Sequence, residues 1–292
     1  GTRAPGPRPF TMENNGMVML LCAFLAVAGS VSADVYFEEE VVNPGFGKKK
    51  TGARKTTNKV YIKGRSQMVE KRIEANKKTV RALKKQGQSL NTSTILRLDQ
   101  AKIYEIDLAA RTFVQKKAPP ARKAAAKKVA KKGAPKVDFA VKVPGDTSRV
   151  AGIHCRRVVA QLRAKYYDAK GKRLKRENRY TFDACIATSF PGYREIASFK
   201  TLQDTTTSYP PLIGGGLEGL DDYQALSEQI TGSKELAGFA LRSTLTATVK
   251  KAGKKRASEV FRLERQVKAM AYTPLPDSLF RVSKSLKRLK AK

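Results

Sequence analysis

The stretch Cys155–Cys185, CRRVVAQLRAKYYDAKGKRLKRENRYTFDAC, decides the fold. The run DAKGK at its centre is typical of a hairpin loop between two strands. If Tyr167 faces Arg173 across this loop, charged pairs fall on one face of the hairpin and apolar pairs on the other. The predicted pairs are Arg163 with Glu177, Arg157 with Asp183, Ala160 with Tyr180, and Val158 with Phe182. The stretch is therefore predicted to form a half-buried antiparallel hairpin.

The same register places Cys155 opposite Cys185, and these two cysteines remain once a predicted signal peptide containing Cys22 is removed. In an oxidising compartment an isolated pair favours a disulfide over a metal site or a redox site. The alternative is a nucleophilic Cys155 activated by His154. Because successive side chains of a strand point to opposite faces, that pair is badly oriented for catalysis.

Short alternating or β-branched segments on both sides of the hairpin predict further strands. They cover residues 34–42, 59–63, 67–75, 93–98, 102–108, 111–115, 240–249 and 258–271, with a last edge strand at 279–282. Several connections between them are too short for crossover helices, so the strands are expected to pair antiparallel.

Two short helices are also predicted. One begins near Pro191 and carries Ile196 and Phe199, and the other has Asp221 as its N-cap and ends before Gly232. The predicted fold class is therefore mainly β, with a curved antiparallel sheet or incomplete β-barrel and short covering helices.

The apolar run Met17–Val31 is shorter than the roughly 20 residues of a transmembrane helix and has the length of a signal-peptide core. Val31-Ser32-Ala33 fits a signal-peptide cleavage site. The chain is therefore predicted to be periplasmic or secreted, with residues 1–33 as leader and signal peptide. An uncleaved anchor is the alternative, because the basic residues lie well upstream of the run.

Residues 116–136 are nearly all Ala, Lys and Pro, and this Ala/Lys tract is predicted to be a disordered insertion. It separates an N-terminal half of the sheet, residues 34–115, from a C-terminal half with the helices, residues 137–292, within one domain. Its lysines would bind a polyanion by counterion release, while a solvated linker that binds nothing fits the pattern equally well. The candidate polyanion-binding residues are Lys123, Lys127, Lys128, Lys131, Lys132 and Lys136.

The whole chain carries 59 Lys and Arg against 25 Asp and Glu, a formal net charge of +34. Such an excess implies attraction to nucleic acid, anionic lipid headgroups or acidic polysaccharide. Outside the Ala/Lys tract the cations crowd predicted loops at 48–54, 170–176, 250–256 and 285–292. Because no aromatic residues are interleaved within these loops, base stacking is not indicated.

Signals for catalysis and for cofactors are weak. His154 is the single His of the chain, which argues against metal sites with two His ligands. The run Gly214–Gly216 favours a hinge over a phosphate-binding loop, and Asp221 favours a helix cap over a carboxylate site. The sequence therefore predicts a binding protein rather than an enzyme, with no metal and no cofactor.

Four phrases, in this order, carry a family resemblance: VYIKG at 60–64, ILRLD at 95–99, AGIHC at 151–155 and PDSLFRV at 276–282. Together they resemble a family of exported bacterial proteins of unknown function related to the outer-membrane lipoprotein carriers (LolA and LolB-like). The resemblance implies a curved, incomplete barrel whose concave face, under short helices, encloses an apolar cavity for acyl chains. The Ala/Lys tract, the charge and the absence of Trp depart from that family, and no cargo-binding residue matches by position.

Two functions follow as hypotheses. The first is a periplasmic carrier for a lipid or a lipoprotein acyl chain, whose basic loops dock on an anionic membrane surface. The second is a structural protein that binds nucleic acid or another polyanion, with the sheet as a scaffold for basic loops.

Overall fold

The computed structural model describes residues 34–45, 52–121, 135–168, 170, 172–207 and 223–290. All of them belong to one compact unit, Ala33–Lys292. The predicted signal peptide, the glycine run and Asp221 lie outside the described residues. So do five candidate polyanion-binding residues, Lys123, Lys127, Lys128, Lys131 and Lys132.

One sheet of thirteen strands makes up most of the described chain. The strands are β1 (Val35–Asn43), β2 (Arg54–Lys63), β3 (Ser66–Ala75), β4 (Asn91–Arg97), β5 (Lys102–Asp107), β6 (Thr112–Lys117), β7 (Lys136–Lys142), β8 (Thr147–Val150), β9 (Ile153–Tyr167), β10 (Leu174–Ala187), β11 (Phe239–Lys251), β12 (Ser258–Ala271) and β13 (Lys287–Leu289). Paired strands are antiparallel except β13, which runs parallel to β6. The sheet is curved and does not close, which confirms the predicted fold class.

The strand order places β1 at the junction of two halves. On one side lie β2, β3, β4, β5, β6 and β13; on the other lie β12, β11, β10 and β9, with β7 and β8 both along the outer edge of β9. β6 continues to Lys117 and β7 begins at Lys136. The ends of the predicted insertion therefore belong to the sheet.

Three α-helices occur in the described chain, namely α1 (Lys77–Lys85), α2 (Tyr193–Thr206) and α3 (Tyr223–Gly232). The predictions of α2 and α3 are confirmed. The helix α1 and the strands β7, β8 and β13 were not predicted. Two short 3-10 helices, Lys234–Leu236 and Asp277–Phe280, complete the elements.

Two apolar clusters lie between one face of the sheet and the helices α2 and α3. Alternate residues of β1 from Val35 to Val41 are buried, as expected when one face of a strand is covered. α2 contributes Ile196 and Phe199 to the first cluster, and α3 contributes Leu226 to the second. The largest fully buried apolar side chains of the clusters include Phe37, Ile62, Leu96, Leu162 and Leu241.

The C-terminal segment covers part of the opposite face of the sheet. Leu275 and Phe280 are buried there against Met68, Ile95 and Ile106. The predicted last edge strand at 279–282 is therefore wrong, and its first residues belong to the second 3-10 helix. Phe280 points onto the sheet and is only 4% exposed, so the chain turns at this point instead of extending along an edge.

The β9–β10 hairpin forms, but the predicted register is wrong by two residues, and Lys165 rather than Arg163 lies opposite Glu177. The predicted pairs Tyr167 with Arg173, Arg157 with Asp183, Ala160 with Tyr180 and Val158 with Phe182 are likewise displaced. Near the tip the displacement is one residue, and a β-bulge between Leu174 and Arg176 adds the second. Because the total displacement is two residues, an even number, the apolar side chains stay on one face of the hairpin.

The predicted disulfide between Cys155 and Cys185 is present, with the two Cα atoms 5.3 Å apart. The predicted position of Cys155 directly opposite Cys185 is wrong, because Cys185 pairs with Arg157. Both residues are buried in the apolar cluster under α2. Cys155 therefore carries no free thiol that His154 could activate. The His154 imidazole instead accepts a hydrogen bond from Arg149 Nε at 2.9 Å.

A buried ion pair crosses the junction of the two halves. The Glu39 carboxylate of β1 is fully buried and accepts hydrogen bonds from Arg265 Nε of β12 at 2.5 Å and from Asn58 Nδ2 of β2 at 2.8 Å. Arg265 Nη1 also donates to the Ala240 carbonyl at 2.6 Å, and the guanidinium lies 5.3 Å from the centre of the Phe239 ring. These charge-assisted bonds connect four adjacent strands, β2, β1, β12 and β11.

We expect Arg265→Met to lower the free energy of unfolding by about 3–5 kcal/mol, because it leaves the Glu39 carboxylate buried without its cation. An exposed pair provides the control, since Lys116 Nζ lies 2.6 Å from Glu105 Oε2 and both side chains are more than a third exposed. There, Lys116→Met should cost less than about 1 kcal/mol. Urea unfolding followed by circular dichroism measures both changes, and equal losses would contradict a structural role for the buried pair.

Candidate functional site

The strand directions bring separate basic segments to one end of the sheet. At this end of the sheet β1 ends and β2 begins, with Asn43 opposite Arg54. β3 also ends here, beside the start of β2, so the helix α1 that follows β3 lies at the same end. β12 is antiparallel to β1 and therefore begins here too. The tips of the β9–β10 and β11–β12 hairpins lie side by side, because the Ala252 N–H donates to the Lys175 carbonyl at 2.9 Å.

We call this region the basic end. Its cations are Arg54; Lys77, Lys78, Arg81, Lys84 and Lys85 of α1; Arg111 between β5 and β6; Lys136 at the start of β7; Lys170, Lys172, Arg173 and Lys175 near the β9–β10 tip; and Lys250, Lys251, Lys254, Lys255 and Arg256 near the β11–β12 tip. β7 reaches the basic end because Lys136 pairs with Lys165 of β9. The basic loops predicted at 170–176 and 250–256 therefore meet in space, although about 80 residues separate them along the chain.

Asp168 shapes the tip of the β9–β10 hairpin. Its carboxylate accepts the Lys172 N–H at 2.9 Å, and its own N–H donates to the Arg173 carbonyl at 2.9 Å. Hydrogen bonds from the backbone, that of Lys172 above all, hold the pKa of the Asp168 carboxyl below its usual range. The carboxylate is therefore engaged by the turn, and the side chains of Lys172 and Arg173 are exposed around it.

Local signals at both ends define α1. Asn76 caps the N-terminus by accepting the Thr79 N–H at 2.9 Å. At the C-terminus Gly87 takes a φ of 71°, and the Gln88 N–H donates to the Leu83 carbonyl at 2.9 Å. Thr79 and Leu83 are the buried residues of α1, so all of its cations are exposed.

The positions of the cations along α1 do not all favour the helix. Lys84 and Lys85 lie in the last turn, where the helix dipole stabilises positive charge. Lys77 and Lys78 begin the helix, and its first turn contains no acidic residue. Positive charge there is unfavourable, by about 0.3–1 kcal/mol if it mirrors the gain at the other terminus. These two lysines therefore do not stabilise the helix.

Ion pairs occur at both ends of the sheet, but the balance of charge differs between them. At the opposite end Lys63 Nζ lies 2.8 Å from Asp277 Oδ1, and Arg157 Nη2 lies 2.7 Å from Asp183 Oδ2. The hydrogen bond from Lys63 lowers the pKa of the Asp277 carboxyl. Ion pairs also occur at the basic end, where Lys55 Nζ lies 2.5 Å from Glu40 Oε2 and Lys165 Nζ lies 2.9 Å from Asp138 Oδ2. Even so, cations far outnumber carboxylates there, because α1 and the β11–β12 tip carry lysines and arginines and no acidic residue.

Three of the predicted site residues lie in the described ranges, namely Lys136, Cys155 and Cys185, and only Lys136 lies at the basic end. Lys136 is exposed there, with its Nζ 5.3 Å from the centre of the Tyr167 ring. Cys155 and Cys185 lie towards the other end of β9 and β10, where Cys185 lines a cleft of about 410 Å³. Ser148 Oγ lies 2.9 Å from Cys185 Sγ beside this cleft.

Two features of the basic end were missed in the sequence. The helix α1 had recognisable signals, because Asn76 and Gly87 flank the segment KKTVRALKK as a cap and a C-terminal glycine. The second feature is an aromatic contact, in which the Arg176 guanidinium lies 4.3 Å from the centre of the Tyr166 ring. Tyr166 lies before the basic loop at 170–176, so it is not among the residues of that loop.

Clefts also occur away from the basic end. Two clefts of about 390 and 230 Å³ beside the second 3-10 helix share Arg97, Phe280 and Arg281. In the described ranges, His, Cys, Asp and Glu side chains form no group of three or more that could hold a metal ion. None of the described helices combines the length and the apolar character needed to cross a bilayer.

Comparison with protein-family models finds no match for this chain, and comparison with curated proteins finds none either. The resemblance to the lipoprotein carriers therefore rests on the four phrases quoted above. Function has to be argued from the geometry and charge of the basic end.

We expect Asn76→Ala to destabilise α1 by about 1 kcal/mol, because the Thr79 N–H loses its acceptor. Asn76→Asp is the matched control, since aspartate also caps a helix and its charge suits the dipole. Hydrogen exchange of the α1 amides measures the effect, and the alanine variant should exchange roughly fivefold faster than wild type. Equal exchange in the two variants would show that the cap does not hold α1 in place.

Proposed function

We propose that this chain is a non-enzymatic binding protein that attaches to a polyanionic partner through the basic end of its sheet. The observation that carries the proposal is that α1, two hairpin tips and the start of β7 lie at one end of the sheet, where exposed cations far outnumber carboxylates. Such a surface attracts phosphate, sulfate or carboxylate groups, and counterion release adds to the affinity. The disulfide supports an exported, oxidising location such as the periplasm as part of this proposal.

The spacing of the cations supports a polymeric or multivalent anion over a single small one. The Ala252 N–H of one hairpin tip donates to the Lys175 carbonyl of the other, so the two tips present their lysines on adjacent strands. Paired strands lie about 4.8 Å apart, which is within the Debye length of about 8–10 Å at physiological salt. Like charges at this spacing repel one another, and an extended polyanion would relieve that repulsion at several positions at once.

Charge reversal at the basic end tests the proposal. We expect Lys254→Glu with Lys255→Glu to weaken binding to a DNA duplex and to anionic phospholipid vesicles by roughly tenfold or more at low salt, with a shallower salt dependence. The control is Lys117→Glu with Lys142→Glu, which changes the net charge equally at exposed positions where β6 and β7 end. Fluorescence anisotropy with the labelled duplex and vesicle co-sedimentation across a salt series measure both.

The control should retain most of the affinity of the wild-type chain for both probes. If the two double variants lose binding equally, attraction comes from the net charge of the whole chain and the basic end has no special role. If neither variant loses binding, the proposed function is wrong.

A second candidate function is an apolar or amphipathic ligand held between the sheet and the helices α2 and α3. Gln67 favours it, because this side chain is only 2% exposed and its Oε1 has no hydrogen-bond partner among the described residues. Its neighbours in the adjacent strands, Ile62 and Leu96, belong to the apolar cluster under α2. A ligand with a polar group at Gln67 and an apolar tail in this cluster would suit the site, as the resemblance to the lipoprotein carriers implies.

Native mass spectrometry tests this second candidate. The protein purified from an exporting host should lose a mass of lipid size after organic extraction, and Gln67→Leu should lower the occupied fraction. Val69→Leu is the control, since it changes a buried neighbour on β3 without altering a polar group. A chain that carries no extractable ligand, and that cannot be loaded with phospholipid, would contradict the candidate.

A further inference from the structure

The exposed apolar side chains of the described chain are concentrated at the basic end. Six large apolar residues are more than a third exposed, and four of them lie there. The four are Leu108 at the end of β5, Val137 near the start of β7, Leu174 at the β9–β10 tip and Val260 near the start of β12. They are between 38% and 46% exposed. Exposed apolar groups and exposed cations thus occur at the same end of the sheet.

The sequence places these aliphatic residues directly beside cations. Leu174 lies between Arg173 and Lys175, and Val137 follows Lys136. A surface built only for a hydrophilic polyanion has no use for exposed aliphatic side chains, because leaving them in water is unfavourable. A bilayer takes both groups, since its headgroups receive the cations and its acyl chains receive the aliphatic groups.

Two tyrosines at the basic end also suit contact with the interface of a membrane. Tyr166 and Tyr167 end β9 at the basic end, with the Arg176 guanidinium 4.3 Å from the first ring centre and Lys136 Nζ 5.3 Å from the second. Tyrosine with adjacent Lys or Arg is typical of the level of lipid headgroups. A cation already lies over one face of each ring, which leaves less of the rings for stacking bases.

We infer that the basic end is a membrane-docking surface that inserts Leu174, Val137 and Val260 into a bilayer containing anionic phospholipid. The inference rests on the proposed function and names its partner. Cations of the two hairpin tips contact lipid phosphates, while the aliphatic side chains enter the interface between headgroups and acyl chains. Attachment is therefore reversible and depends on both charge and apolar contact.

Insertion can be measured at a single position, because the chain contains no Trp. Leu174→Trp places a fluorescent reporter at the basic end, and Val143→Trp places one outside it, at a residue that is 44% exposed just after β7. Both variants keep the full chain, so the apolar run Met17–Val31 contributes equally to vesicle binding in each. The vesicles contain phosphatidylcholine with or without phosphatidylglycerol, and a second set carries brominated acyl chains as quenchers.

With phosphatidylglycerol present, the emission of Leu174→Trp should shift to the blue and be quenched by the brominated chains. The emission of Val143→Trp should not change, and neither reporter should respond to phosphatidylcholine alone. Equal quenching of both reporters, or none of Leu174→Trp, overturns the inference. Since Trp itself favours interfaces, Leu174→Ser with Val260→Ser in the otherwise native chain should lower vesicle partitioning roughly tenfold and leave duplex binding unchanged.

These outcomes separate the inference from the proposed function. If the serine variant binds vesicles as the wild type does, while Lys254→Glu with Lys255→Glu still abolishes binding, the basic end attaches by charge alone and the inference fails. If the chain binds the duplex and not the vesicles, the partner is a nucleic acid and the inference fails. If charge reversal affects neither probe, the proposed function itself is wrong.

Discussion

The fold depends on the ion pair between Glu39 and Arg265, because it lies where the two halves of the sheet meet. β1 pairs with β2 on one side and with β12 on the other, so it connects the halves. A buried carboxylate is unfavourable unless it is paired and hydrogen-bonded, and here Asn58 of one half and Arg265 of the other both donate to it. A slip of one residue would turn Glu39 to the other face and break both bonds. The pair therefore helps to fix the register at the junction.

A fixed register also determines where each loop lies. In antiparallel pairing, successive connections alternate between the two ends of the sheet. The connections after β1, β3, β5, β9 and β11 lie at the basic end, and those after β2, β4, β10 and β12 lie at the other. The second set contains Asp99 and Asp277, and each forms an ion pair with a strand cation, Arg97 or Lys63. The charge separation between the ends thus follows from which loops carry carboxylates.

The alternation of apolar residues along the sequence predicted much of this structure, and the features that it did not predict have physical reasons. The strands from β1 to β6 and from β9 to β12, the helices α2 and α3, and the disulfide could be predicted because they follow local periodicity or a simple pairing argument. The hairpin register could not, since the bulge between Leu174 and Arg176 adds a residue without changing which face is apolar. The segment at 279–282 has the composition of a strand, but burial of Phe280 requires a turn. The basic end depends on strand order, which the sequence pattern does not encode.

The basic end combines two features that each oppose the stability of an isolated chain. Like charges on adjacent hairpin tips repel one another, and exposed Leu174 and Val260 leave apolar surface in water. A soluble polyanion would relieve the charge repulsion but leave the apolar surface in water. An apolar partner would cover the apolar surface but leave the charge repulsion. An anionic bilayer relieves both, because phosphate and acyl groups lie within a few ångströms of each other along its normal. The coincidence of both features at one end of the sheet is therefore the reason why we propose an anionic membrane, rather than a partner of either kind alone, as the surface that it contacts.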